Sequence, residues 1–264
     1  MEIIDAHTHI YPTKIALKAV QAIGDFYNID MDLNGTSENL INQEDGDKIS
    51  YFLVHSVATT MHQVHVINEF LLEELKKHPN FIGFCTLHPD LTEEEIEKEV
   101  KWATLNGFLG VKLHPDFQKF YLDEERAERI YRVLEKYNLP LLLHMGDKRY
   151  QFSEPIRLSK MAKKYTKLNF IAAHFGGYSV WDKVDVLKDL NNVYFDTSSS
   201  LEYLDKERAK ELIKTFGAHR FFYGSDYPMW NEKEELKRFF SIDLTKEEQE
   251  MILAKNLKKF LNIK

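Results

Sequence analysis

The sequence contains a single cysteine, Cys85, among 264 residues. No intrachain disulfide is possible, so the fold rests on its core, and a lone thiol suits a reducing compartment. An excess of positive charge is also missing. Lys and Arg total 35 against 42 Asp and Glu, a formal net charge of −7. That sign argues against nucleic acid or an acidic membrane surface as a partner, since both select basic surfaces. No long apolar run occurs, and the opening residues Met1 to Asp5 hold no basic segment ahead of an apolar stretch. Neither a transmembrane helix nor a secretory signal is expected, and a cytoplasmic location is. Phosphate-binding glycine turns are absent too: neither G-x-G-x-x-G nor G-x-x-x-x-G-K-[ST] is found. That weakens an open, doubly wound sheet, which usually carries such a turn after a strand.

What is present is a rhythm of short apolar runs separated by helical stretches. The runs are Ile3–Ile10, Ser50–Val57, Phe81–Leu87, Phe108–Leu113, Pro140–Met145, Asn169–His174, Val193–Thr197 and Arg220–Ser225. Most are continuously hydrophobic, as strands buried on both faces are. From the second on, each begins about 24 to 32 residues after the last, which fits a strand, a crossover helix and two short loops. Thr92–Glu95 and Thr245–Glu248 read as capping boxes, and Glu124–Tyr137 as an amphipathic helix. Eight such units without a break in composition predict an α/β fold of the (β/α)8 TIM-barrel type, one domain spanning 1–264. Division by about 150 residues per domain would suggest two, but single barrels reach this length. The one wide gap, about 46 residues, follows the first run. It predicts a helix over Thr13–Tyr27 and an elaborated loop within 11–47, placed over the barrel mouth. Its polar stretch includes Asn34, Gly35, Glu44, Asp45, Gly46 and Asp47.

Seven of the eleven histidines fall at or just after the ends of these runs: His7, His9, His55, His88, His114, His144 and His174. In a (β/α)8 barrel the strand ends form the active-site face. His7-Thr8-His9 places two imidazoles on one side of a strand, able to reach one ion. His144 and His174 end later strands, and Asp226 follows the last. Imidazoles with a carboxylate make a borderline-soft site suited to Zn²⁺, with Mn²⁺ or Fe²⁺ tolerated by the same ligands.

Asp5-Ala6-His7-Thr8-His9, His144, His174 and Gly224-Ser225-Asp226-Tyr227-Pro228 together resemble the amidohydrolase superfamily. More narrowly they resemble its amidohydrolase-related branch, which holds metal-dependent hydrolases and the aminocarboxymuconate-semialdehyde decarboxylase group. The resemblance implies His7, His9, His144 and Asp226 as ligands of one ion. His174 is implied as a catalytic base or oxyanion partner, and Asp226 as a further catalytic group that shuttles a proton. Binuclear members carry a carbamylated lysine on the fourth strand, where Lys112 stands. The alternative is an ammonium that holds substrate. Lys112, His114 and Arg149 are the candidate substrate contacts, Arg149 as a bidentate clamp on an anion. Asp5 reads as a buried hydrogen-bonding residue and Asp196 as one that orients a neighbour. Tyr11, Tyr178 and Trp181 are expected to shape the pocket, His62 and His65 to lie on the surface, and His55 to point inward or outward with equal claim.

The leading expectation is a metal-dependent hydrolase that attacks an amide, ester or lactone carbonyl of a small organic substrate, with a homodimer left open. The alternative is a metal-dependent non-oxidative decarboxylase of an aromatic or muconate-type acid. The Gly110–Pro115 motif, untypical of the decarboxylase members, weighs toward the first. A metal-dependent DNase would want a glutamate where Leu87-His88 and Leu113-His114 stand. A silent scaffold would have no need to keep the polar set together.

Overall fold

The computed structural model describes residues 1–43 and 49–263. Glu44, Asp45, Gly46 and Asp47 of the expected loop lie outside the described residues. The strands are β1 (Ile4–His9), β2 (Tyr51–His55), β3 (Phe81–Thr86), β4 (Gly110–Leu113), β5 (Leu141–Leu143), β6 (Phe170–Ala172), β7 (Val193–Asp196) and β8 (Phe221–Phe222). They form one sheet in the order β1 to β8. That sequential order, with helices between the strands, is the (β/α)8 barrel fold and excludes the doubly wound alternative, whose order reverses at a switch point.

The helices are α1 (Thr13–Tyr27), α2 (Ser37–Ile41), α3 (Val64–Lys77), α4 (Glu93–Leu105), α5 (Pro115–Gln118), α6 (Glu125–Tyr137), α7 (Pro155–Lys164), α8 (Lys206–Phe216), α9 (Glu232–Phe240), α10 (Lys246–Glu250) and α11 (Asn256–Leu261). Both expected capping boxes form: Thr92 and Thr245 accept from the N–H groups of Glu95 and Glu248, whose side chains reach back. Each satisfies two backbone donors left over at a helix start.

The chain divides into two compact units. The first holds residues 1–55, 77–82 and 197–264. Here β1 runs parallel to β2, with a register shift between Asp5 and Thr8. Ala6 and His7 of β1 stand opposite Leu53 alone of β2 there, which is the extra residue of a β-bulge, a device that re-aims side chains. The inserted segment belongs to this unit and is tied down within it. Tyr11 N donates to Gly35 O at 2.8 Å, and the Tyr227 hydroxyl donates to Thr36 O at 2.9 Å. At the far end of the unit, the Asn256 amide donates to Ala218 O and Phe221 O, which ties α11 to the start of β8.

The second unit holds residues 56–76 and 83–196. Its strands pair in parallel from β3 through β7. β3, β4 and β5 are buried at every position, Lys112 included. Gly110 is required for this packing. A Cβ there would lie 2.4 Å from the Phe84 ring, far inside contact distance.

Candidate metal centre

The bulge in β1 and the loop after β8 bring three expected residues together within the first unit. His7 Nε2 lies 3.3 Å from Asp226 Oδ1, and His9 Nε2 lies 3.4 Å from the same oxygen. Charge-assisted N–H···O bonds run about 2.7–2.9 Å, so these contacts are long for hydrogen bonds. Donors bound about 2.1 Å from one tetrahedral ion stand about 3.4 Å apart, which is the spacing seen. Two imidazole nitrogens, each at that spacing from one carboxylate oxygen, fit a divalent ion. His55 joins them: its ring centroid stands 4.3 Å from His9 and 4.9 Å from His7, both edge-on. The register pairs His9 with His55, so the histidine whose direction the sequence left open is buried beside the pair.

The backbone around these donors is pinned. Asp5 Oδ1 accepts from the N–H groups of His7 and Ser225, each at 3.0 Å, so one carboxylate ties β1 to the loop after β8. Asp5 is fully buried, and burial raises its pKa above the ordinary carboxylate value. Asp226 has φ 67°, in the left-handed region that non-glycine residues rarely adopt, and its N–H donates to His7 O at 2.9 Å. Such strain persists where surrounding contacts over-determine it. Gly224 leaves room for the approach, since a Cβ on it would lie 2.9 Å from His7 Cβ.

The second unit carries its own histidine group. His144 Nδ1 lies 2.9 Å from His174 Nε2, and His144 Nε2 lies 3.3 Å from Asp116 Oδ2. These are the places the structure gives to His144, implied by resemblance as a ligand, and to His174, implied as a catalytic group. His174 has φ 61°, and its N–H donates to Asp196 Oδ1 at 3.0 Å. Asp196 thus holds the backbone of His174. Burial pushes the Asp116 carboxyl up to about 7. His114 stacks on His144 with centroids 3.9 Å apart and planes 10° apart. Imidazole lone pairs lie in the ring plane, so the stack favours separate partners for the two rings, although His114, Asp116 and His144 each offer a donor atom within 4.8 Å of the others. His114 instead caps α5, with Nδ1 accepting from Phe117 N at 3.3 Å.

The other expected residues are placed as follows. Lys112 is wholly buried on β4. Arg149 is engaged by Asp147 through Nε at 3.0 and 3.1 Å and Nη2 at 2.6 Å, so its fork already holds a carboxylate of this chain. The Trp181 indole donates to His174 O at 3.0 Å, and Tyr178 stands 6.0 Å from the His174 ring. His65 is half-exposed, with Glu99 at 3.1 Å. Ser198 and Ser199 were not singled out from the sequence. Ser198 Oγ lies 3.1 Å from His7 Nδ1, and the Ser199 hydroxyl donates to Asp226 Oδ2.

The family model described as amidohydrolase matches residues 4–263, and the chain belongs to that family. Solved structures to which it is similar share the fold at low identity. An uncharacterized TIM-barrel protein of Bordetella bronchiseptica is 17% identical, with 99% of each chain covered and a TM-score of 0.81. The 5-carboxyvanillate decarboxylase of Sphingomonas paucimobilis is 13% identical over 100% of both chains, with a TM-score of 0.73. A dihydroxybenzoic acid decarboxylase of Polaromonas sp. JS666, solved with bound manganese and the inhibitor 2-nitroresorcinol, is 16% identical, covering 99% of this chain and 97% of that one, with a TM-score of 0.73. No curated protein sequence matches the chain. Among the described residues, no helix is long and apolar enough to cross a membrane.

These relatives overturn the expectation of hydrolysis. Those described with a substrate are decarboxylases of aromatic acids. The physical reason for the error is that imidazole and carboxylate donors serve either reaction. An ion that polarises a substrate oxygen assists attack by water and loss of CO₂ alike. The Gly110–Pro115 motif forms a fully buried strand followed by a helix cap.

Proposed function

We propose that the chain is a metal-dependent, non-oxidative decarboxylase of an aromatic or muconate-type acid. The observation that carries this reading is the convergence of His7 and His9 Nε2 on Asp226 Oδ1, within a family whose solved relatives include decarboxylases of aromatic acids. His7, His9 and Asp226, three of the four ligands that the resemblance implies with His144, would hold one divalent ion, Zn²⁺ or Mn²⁺, since both accept nitrogen and oxygen donors. When bound, that ion supplies positive charge that draws electron density from the substrate's oxygens.

The reaction consumes one proton and releases one CO₂. The bond from the ring or vinyl carbon to the carboxylate breaks, its electron pair stays on that carbon, and a proton arrives there. We assign the proton to His174. His144 Nδ1 lies 2.9 Å from His174 Nε2, so the two rings would share a proton, an exchange suited to imidazole. Lys112 and His114 remain the assignments for substrate contact. Arg149 would serve only by exchanging Asp147 for a substrate anion.

The test is turnover of hydroxylated benzoates in D₂O. Deuterium is expected at the carbon that lost CO₂. His174→Asn is expected to cut turnover by about 10²–10⁴-fold with metal content unchanged. A His174→Asn protein with full metal and full rate would remove His174 from this role.

A further inference from the structure

The loop after β7 reads Thr197-Ser198-Ser199-Ser200, a run with no catalytic signature. In the structure its second serine stands directly behind the Asp226 carboxylate. The Trp230 indole Nε1 donates to Ser199 Oγ at 2.9 Å. An indole N–H only donates, and a hydroxyl has a single proton to give. With the indole filling a lone pair, the Ser199 proton must point elsewhere. Two acceptors stand near it, Asp226 Oδ2 and Met229 Sδ, the latter at 3.2 Å. A carboxylate oxygen is much the stronger acceptor of the two. The order of donation is therefore Trp230 to Ser199 to Asp226 Oδ2. With Oδ2 occupied, Oδ1 is the oxygen turned toward His7 and His9.

Trp230 is itself held. Arg238 stands over its ring at 5.1 Å, and Tyr203 meets it edge-on at 6.0 Å. Arg238 is in turn fixed by Glu235 and Glu202. Ser199 has φ 46°, another left-handed non-glycine residue, so the backbone adopts an unfavourable conformation where this hydroxyl is presented.

We propose that Ser199, oriented by Trp230, is a positioning residue that turns the Asp226 carboxylate toward the ion. This rests on the reading that His7, His9 and Asp226 hold that ion. A carboxylate behind a metal ligand, or a hydroxyl behind a carboxylate ligand, sets the ligand's direction and typically governs about 10–100-fold in affinity.

The experiment is chelator competition with Zn²⁺ alone on the full chain, comparing wild type with Ser199→Ala, Ser199→Gly and Trp230→Phe, alongside the Tm of each metal-free protein. Ser199→Gly is the discriminating variant. Glycine adopts positive φ without strain, so it keeps or improves the backbone while removing the hydroxyl. The expected result is Zn²⁺ affinity lower by about 10–100-fold in both serine variants, with the metal-free Ser199→Gly protein folded and its Tm lowered no more than that of Ser199→Ala. Trp230→Phe should weaken binding less, because Ser199 keeps its proton for Asp226 but loses the group that aims it. Wild-type affinity in Ser199→Gly overturns the proposal. If neither serine variant folds, wild-type affinity in Trp230→Phe overturns it. A wild type that binds no Zn²⁺ overturns the metal reading and this inference together, whereas tight wild-type binding beside an unaffected Ser199→Gly overturns this inference alone.

Discussion

Gly224→Ala tests the packing of the proposed metal centre with the smallest available change. The methyl group would sit 2.9 Å from His7 Cβ, 3.4 Å from Ser198 Cβ and 3.5 Å from His7 N. Carbon atoms rest about 3.5–4.0 Å apart, so the first contact must open by roughly 0.5 Å or more. Gly224 does not have a positive φ, so no backbone strain confuses the result. His7 has little room to retreat, because its N–H is bound by Asp5 and its Nδ1 lies against Ser198. Overpacking of this kind costs about 1–3 kcal/mol. For a chain of this size each kcal/mol moves Tm by about 2–4 °C, so a fall of about 2–12 °C is expected. A ligand displaced by about 0.5 Å also leaves its productive geometry, so Zn²⁺ affinity should fall about tenfold or more. Calorimetry of the metal-free protein reads the first quantity and chelator competition the second. Unchanged Tm together with unchanged affinity would refute the claim that Gly224 is there to let β1 and the loop after β8 approach.

His9→Ala should abolish stoichiometric metal binding while leaving the circular dichroism spectrum intact, since His9 lies at the end of β1; metal analysis of the purified variant checks this. Burial raises the Glu235 carboxyl to about 8 from its ordinary value of 4.5 despite its pairing with Arg238. Between those values the folded chain holds a proton that the unfolded chain releases, so stability falls as pH rises through this window and the loss is complete above it. Glu235→Gln should flatten the dependence of Tm on pH between about 5 and 9; an unchanged slope would contradict it. Asp5→Ala should leave the N–H groups of His7 and Ser225 without their shared acceptor. A buried unsatisfied donor costs about 1–3 kcal/mol, so the loss in urea-unfolding free energy should exceed that of a surface substitution such as Lys163→Ala.

Much of the architecture could be read before any coordinates. Continuous apolar runs announced the strands because strands buried on both faces have no polar alternate positions. The Thr13–Tyr27 helix and both capping boxes formed where local chemistry called for them. Strand ends were less legible: the run Arg220–Ser225 contains only Phe221–Phe222 as strand, because the chain turns beyond it into the loop that carries Gly224 and Asp226. His7-Thr8-His9 and Asp226 stood out because a metal needs particular atoms at particular intervals. Their supporting residues did not. Serine is common in loops, and nothing in Ser198-Ser199-Ser200 marks one hydroxyl for His7 and another for Asp226. His55 was ambiguous because alternation at the last residue of a strand depends on the neighbour's bulge, which the sequence does not display. Arg149 looked like an anion clamp because its partner, Asp147, two residues earlier, is indistinguishable from a solvated loop acid. The reaction was hidden for a deeper reason: the same donors serve hydrolysis and decarboxylation, and the choice lies in how the substrate is held.

The most direct measurement of the central claim is release of labelled CO₂ from carboxyl-labelled, ring-hydroxylated benzoates, made on one preparation before chelation, after chelation, and after reloading with Zn²⁺ or Mn²⁺. The account predicts CO₂ release that disappears on chelation and returns with the ion, in step with one ion per chain. Release at full rate from metal-stripped protein would contradict it, as would a fully metal-loaded enzyme that releases no CO₂ from any aromatic or muconate-type acid.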